Sequence, residues 1–270
     1  MRSRSRVATA VVALPLVLGI AACGGQQKTN SAADSRPMPT PVSTPASRTA
    51  PPKAAQPVAH LNRASFLPAM NSALAWQKTW RMWARMTAGG KTVMTITGLE
   101  QAKPLAVSME MSGEAFGGGK ARIILVNDFA YVQMPGLAPT GKYLKLDAKF
   151  SDPAVASFGS MLDSADPTKT FKAFGLALRN VRFVRSETID GRKLDRYAVT
   201  VDTATALRAQ GKSLPAGAPK TLDYTLWMGT DHLVHRMSFD LAGVSMLMTM
   251  TQFNKPVSIK APPARSIVTR

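Results

Sequence analysis

The sequence predicts an α+β fold, a large antiparallel sheet with a few helices packed on one side of it. Three observations carry that expectation. Between residues 79 and 254, about eleven segments alternate apolar and polar residues or run apolar, the spacing of strands whose successive side chains point to opposite faces. Turn residues such as Gly89-Gly90, Gly117-Gly118-Gly119 and Asp190-Gly191 divide many of these segments, as hairpin connections require. A few pieces show helical apolar spacing instead and stand apart from the strand runs, which is the order of an α+β domain.

The elements follow in chain order. Residues 64–77 place Phe66, Leu67, Met70 and Leu74, with Trp76 near the end, along one side of a helix. Strands are expected at 79–88, 91–101, 104–112, 120–127, 129–134, 143–147, 181–189, 193–202, 220–229, 233–242 and 244–254. Asp152-Pro153 starts a helix with Val155, Phe158, Met161 and Leu162 on one side, and Asp166-Pro167 starts another with Phe171, Phe174 and Leu178. Asp202 caps a short further helix that runs to Ala209.

Alternation in the late strands separates an oily face from a wet one. Leu222, Tyr224, Leu226 and Met228 share a side, as do Leu233, His235, Met237, Phe239 and Leu241, and then Val244, Met246, Met248 and Met250. Thr225, Arg236, Ser238, Asp240 and Thr249 fall on the other. Twelve of the fifteen methionines lie between Met82 and Met250. Methionine is flexible and polarisable, so it serves both as core filler and as the wall of a site that accepts varied apolar partners; the pattern leaves both uses open. Trp76, Trp80 and Trp83 read as core packing where the first helix meets the first strand.

The N-terminus is a targeting segment. Arg2, Arg4 and Arg6 precede an apolar run from Val7 to Ile20, which is shorter than the roughly 20 residues a membrane-spanning helix needs and ends in small residues. The run leads into Ile20-Ala21-Ala22-Cys23, which resembles the bacterial lipobox, where cleavage before the cysteine follows its lipidation. Residues 1–22 are therefore expected to be a lipoprotein signal peptide and Cys23 the lipid attachment point. Removing the three arginines takes the formal charge from +18 to +15. Residues 24–60 hold seven prolines and no aromatic residue, so 23–60 reads as a lipidated cysteine on a disordered tether. The folded domain is expected at 61–260 and a tail at 261–270. Export argues against a nucleic-acid partner and turns the basic charge toward anionic headgroups, wall polymers or plain solvation.

Chemistry finds little footing. One cysteine and three histidines leave poor material for a disulfide or a zinc site. Gly211-Lys212-Ser213 lacks the earlier glycine of a phosphate loop, since that place is Ala206, and Gly117-Gly118-Gly119-Lys120 lacks dinucleotide spacing. His232 and His235 are three apart on an extended segment and point to opposite faces, so they read as a turn histidine beside a strand histidine. The chain has no G-x-S-x-G elbow and no evident carboxylate pair, so no enzymatic activity, metal or cofactor is expected.

Several segments together resemble the LppX/LprA/LprF/LprG family of actinobacterial lipoproteins, which have the LolA/LolB-like fold. They are the lipobox and tether; Gly141-Lys142-Tyr143-Leu144-Lys145-Leu146 followed by a helix-starting Asp-Pro; and Thr188-Ile189-Asp190-Gly191 leading into Tyr197-Ala198-Val199-Thr200-Val201-Asp202. Leu226-Trp227-Met228, Asp231 through Arg236, and Phe253-Asn254-Lys255-Pro256-Val257 complete the set. The resemblance implies a strongly curved antiparallel half-barrel whose concave apolar face is covered by helices around a lipid cavity. By face, the expected lining is Val107, Met109 and Met111, then Phe158, Met161 and Phe171 from helices, and Leu226, Met228, Met237, Phe239, Met246 and Met248 from the late strands. The expected function is that of a monomeric lipoprotein on the extracytoplasmic side of the cell membrane, anchored in its outer leaflet, that carries or presents a lipid or glycolipid, with an envelope transporter as a candidate partner. The alternative is a non-catalytic sensor or scaffold that binds another envelope protein.

Overall fold

The computed structural model describes residues 60–147, 174–209 and 211–268. Helix α1 (Arg63–Ala75) begins at Asn62, whose side chain accepts from the backbone of Ala64 and Ser65, while the Ser65 hydroxyl accepts from the Asn62 N–H at 3.0 Å. This reciprocal cap satisfies donors that the first turn leaves free. Eleven strands follow the expected alternation closely: β1 (Thr79–Ala88), β2 (Lys91–Gln101), β3 (Ala106–Gly113), β4 (Lys120–Val126), β5 (Phe129–Gln133), β6 (Tyr143–Asp147), β7 (Leu178–Ile189), β8 (Arg192–Asp202), β9 (Thr221–Met228), β10 (Val234–Leu241) and β11 (Val244–Thr251). Between β8 and β9, Asp202 caps α2 (Thr203–Arg208) by accepting from the Thr205 N–H at 2.7 Å.

With a twelfth strand, β12 (Ile267–Val268), the sheet order is β12-β6-β5-β4-β3-β2-β1-β11-β10-β9-β8-β7, a curved sheet that does not close. It consists of two meanders, β1–β6 and β7–β11, joined where β1 pairs with β11. The twelfth strand is a correction to the expected tail. Ile267–Val268, within 261–270, forms β12 and pairs parallel to β6 through Tyr143 and Leu144. The preceding segment also covers part of the supposedly wet face, because Ile259 and Ile267 pack on Ala106, Val126 and Tyr131.

Other expectations shift with burial. Leu178 belongs to β7 and not to a helix face, and only 174–177 of the region before it are described, as helix. The helices expected from Asp152 and Asp166, with Phe158, Met161 and Phe171, lie outside the described residues. Of the early tryptophans only Trp80 is buried; Trp76 is 79% exposed and Trp83 is 37% exposed on the other face, with Arg85 over its ring. In β10 the register shifts between Val234 and Arg236, so Val234 takes the apolar place opposite Met228 and His235 becomes an extra residue in the ladder.

Four hairpins turn on two residues that both have positive φ: Gly89-Gly90, Asn127-Asp128, Asp190-Gly191 and Ala242-Gly243. Such turns match the right-handed twist of the strands they join. Ala242, exposed and at φ 50°, is the costly member, because its Cβ crowds the backbone there. Ala242→Asn is expected to raise the unfolding free energy by about 0.5–1 kcal/mol, measured by denaturant titration of the two proteins.

Candidate functional site

Cross-strand registers assemble the apolar face residue by residue. One row runs Phe183, Tyr197, Leu226, Met237, Met248, Ala84, Ile96, Met111, Ala121 across nine neighbouring strands from β7 to β4. A second runs Met250, Met82, Gly98, Met109, Ile123, Val132, Leu144. A third runs Trp80, Glu100, Val107, Leu125, Ala130, Leu146. All nine described candidates, namely Val107, Met109, Met111, Leu226, Met228, Met237, Phe239, Met246 and Met248, lie on this one face.

Their burial divides the face in two. Over β7–β11 and β1 it is closed: Phe66, Met70 and Leu74 of α1, with Phe174 and Ala177, pack on Leu226, Met228, Met237 and Met248, each of which is at most 2% exposed. Edge-to-face rings fill this half, Phe66 on Tyr197 at 5.6 Å, Phe183 on Tyr197 at 5.8 Å and Tyr224 on Phe239 at 5.3 Å. The Tyr197 hydroxyl accepts from the Leu61 N–H at 3.2 Å, which fixes the entry to α1. Over β2–β4 the same rows are mixed: Ile96, Val107, Met109, Met111 and Leu125 are half-buried, while Ala121 and Ile123 of β4 are buried. Two grooves are defined near the closed half. One of about 250 Å³ is lined by Arg63, Ala64, Leu67, Gly175 and Leu178; one of about 170 Å³ is lined mainly by opposite-face residues, Arg85, Thr87, Ser238, Asp240, Ser245 and Leu247.

Two polar features were not expected. Glu100 lies on the apolar face at 7% exposure, accepts a hydrogen bond from the Trp80 indole, and faces Val107 across the ladder. Burial pushes its carboxyl up from the ordinary 4.5 to about 8, the indole hydrogen bond offsetting only part of that. The signal was in the sequence, since Met94 and Ile96 set the phase of β2 and position 100 shares it. His235, 5% exposed, has Nε2 3.2 Å from an Asp231 carboxylate oxygen and 3.2 Å from Arg192 Nη1, with Phe253 edge-on at 5.3 Å. His232 sits apart in the turn at φ 59°, so the two histidines do not converge. Arg192 comes from another hairpin and no local spacing could reveal it.

Among the described residues, no group of three or more His, Cys, Asp or Glu is placed to hold a metal, and no helix is long and apolar enough to cross a membrane. The opposite face is polar and basic, with Arg196 and Arg236 stacked at 5.4 and 5.2 Å on Trp227, whose indole donates to Glu187.

An unclosed, mostly antiparallel sheet with one apolar face, part of it packed under α1, defines an α+β fold that solved structures share. The chain is similar to the lipoprotein LppX of Mycobacterium tuberculosis, at 16% identity and a TM-score of 0.51 over 73% of this chain and 98% of that one. It is similar also to LprF of Mycobacterium bovis, at 14% identity and 0.51, over 74% of this chain and 96% of that one. At the level of fold, the resemblance read from the sequence holds. No family model matches the chain, and no curated protein matches it.

The buried carboxyl gives a pH prediction. With the folded-state pKa above the unfolded one, the folded chain holds this proton more tightly, so the associated stability is full below about 4.5 and is lost as pH rises to about 8. Thermal melts across that window should show Tm falling in the wild type relative to Glu100→Gln, with the two curves parallel above it.

Proposed function

We propose that this chain is an extracytoplasmic lipoprotein of the LppX and LprF kind, anchored in the outer leaflet of the cytoplasmic membrane by acyl chains on Cys23. It binds the acyl chains of a lipid or glycolipid against the apolar face of its sheet and carries or presents that lipid within the envelope. The observation that carries this reading is the half-buried stretch of Ile96, Val107, Met109, Met111 and Leu125, which among the described residues continues the rows of the buried core at the rim of that core. A contiguous apolar surface left open in a folded domain marks a binding site more often than idle surface.

The energetics favour chains over rings or charges. Each methylene that leaves water contributes ~0.8 kcal/mol, and methionine side chains repack around chains of differing length and saturation. The closed half then acts as the rigid floor, with Leu226, Met228, Met237 and Met248 setting the curvature, while Phe158, Met161 and Phe171 are assigned to the same lining. The action is carriage, and the reading involves no enzymatic step. Residues 23–60 serve as the tether, and +15 of formal charge on the mature chain suits a surface of anionic headgroups.

Native mass spectrometry of the full chain, gently extracted from its own envelope, is expected to show one bound lipid per chain, released by organic solvent. Met109→Trp, which fills the half-buried stretch, should lower that occupancy at least fivefold while the melting temperature stays within a few degrees. A wild-type chain that emerges lipid-free would sink the reading, and a protein partner that persists in Met109→Trp would favour the scaffold function.

A further inference from the structure

Glu100 plays no part in closing the core and is costly where it stands. A carboxyl offers two oxygens with about four acceptor positions, and among the described residues its hydrogen-bond donor is the Trp80 indole N–H. Its cross-strand neighbours on the apolar face are Trp80 and Val107, and beyond Val107 lie Leu125 and then Ala130. A buried polar group left short of partners is tolerated where something else completes it. The neighbouring open ground is the half-buried run of Val107, Met109, Met111 and Leu125.

We propose that Glu100 is the polar anchor of the lipid site, receiving the hydroxyl or ester group of an uncharged acyl lipid whose chains lie along Val107, Met109 and Met111. This rests on the lipid-binding reading above and adds the class of headgroup. With the indole holding one side, a protonated carboxyl presents an O–H donor and a free acceptor, the complement of a hydroxyl beside an ester carbonyl. Burial favours that protonated form at neutral pH, in keeping with the raised pKa. A phosphate brought to the same place would lose its own hydration with no cation to offset it among the residues paired to Glu100 on the ladder.

The test loads the purified full chain from detergent micelles that hold equal amounts of dioleoylglycerol and dioleoylphosphatidic acid, which share their chains and differ at one hydroxyl. Bound lipid is counted by native mass spectrometry. The wild type is expected to prefer dioleoylglycerol at least tenfold, Glu100→Gln to keep most of that preference because an amide still donates and accepts, and Glu100→Met to lose it to within about threefold by taking up less dioleoylglycerol. Glu100→Met should melt no lower than the wild type, since an apolar side chain suits the site. Equal uptake of both lipids by the wild type, or an unchanged preference in Glu100→Met, overturns the anchor and leaves the lipid-binding reading standing. A wild type that takes up neither lipid, with Met109→Trp behaving alike, brings down both.

Discussion

Cross-strand register is the constraint on which the rest depends. Because side chains alternate with period two, a slip of one residue at any ladder would turn that strand's apolar set outward. The row from Phe183 to Ala121 stays in phase through nine strands, and bulges absorb the extra residues at Leu178/Asn180, Phe183/Arg185, Val234/Arg236 and Met86/Thr87. Three of these irregularities sit at strand ends or beside hairpins and the one at Phe183/Arg185 midway along β7, and in each case the ladder resumes its phase beyond the kink. The apolar face is thus a single surface, and α1 needs to cover only part of it for the domain to have a core.

How far the sequence made this legible follows from which interactions are local. Strand limits in β1, β2 and β6 coincide with the expected ones, because alternation and paired turn residues are properties of neighbours in the chain. Helix α1 was visible through the spacing of Phe66, Met70 and Leu74 and α2 through its cap Asp202, whereas the Asn62 cap of α1 was not read. Ile267–Val268 escaped notice because two residues after Pro262-Pro263 carry no period, and only the edge of β6 makes a strand of them. Trp76 and Trp83 were misplaced for the converse reason: aromatic clustering in sequence does not say which face each ring takes, whereas the phase of β1 puts Trp80 inside and Trp83 outside. Glu100 could have been read from the same phase argument in β2. The Arg192, His235 and Asp231 contacts could not, since they join two hairpins across a bulge.

Division of the apolar face into closed and half-buried parts also changes the meaning of the methionines. Met228, Met237 and Met248 lie in a closed core with aromatic neighbours, where methionine acts as a shape-filling side chain. Met109 and Met111 are half-buried, the first packed against that core and the second against the smaller cluster of Ile123, Ala130, Val132, Leu144 and Leu146. One residue type therefore occupies two settings, and composition alone did not distinguish them.

The pairing of β1 with β11 has a consequence for how the chain reaches this state. Each meander closes by hairpins between sequence neighbours, which form early and cheaply, but the seam from Arg81–Thr251 to Ala88–Val244 brings together the first strand and the last long one. A chain emerging N-terminus first has β1 in place with one ladder empty until nearly everything else has followed. The two meanders thus wait for one another at this seam, and the exposed edge of β1 is the place where a holding factor, or a misdirected strand from a neighbouring chain, would act during that interval.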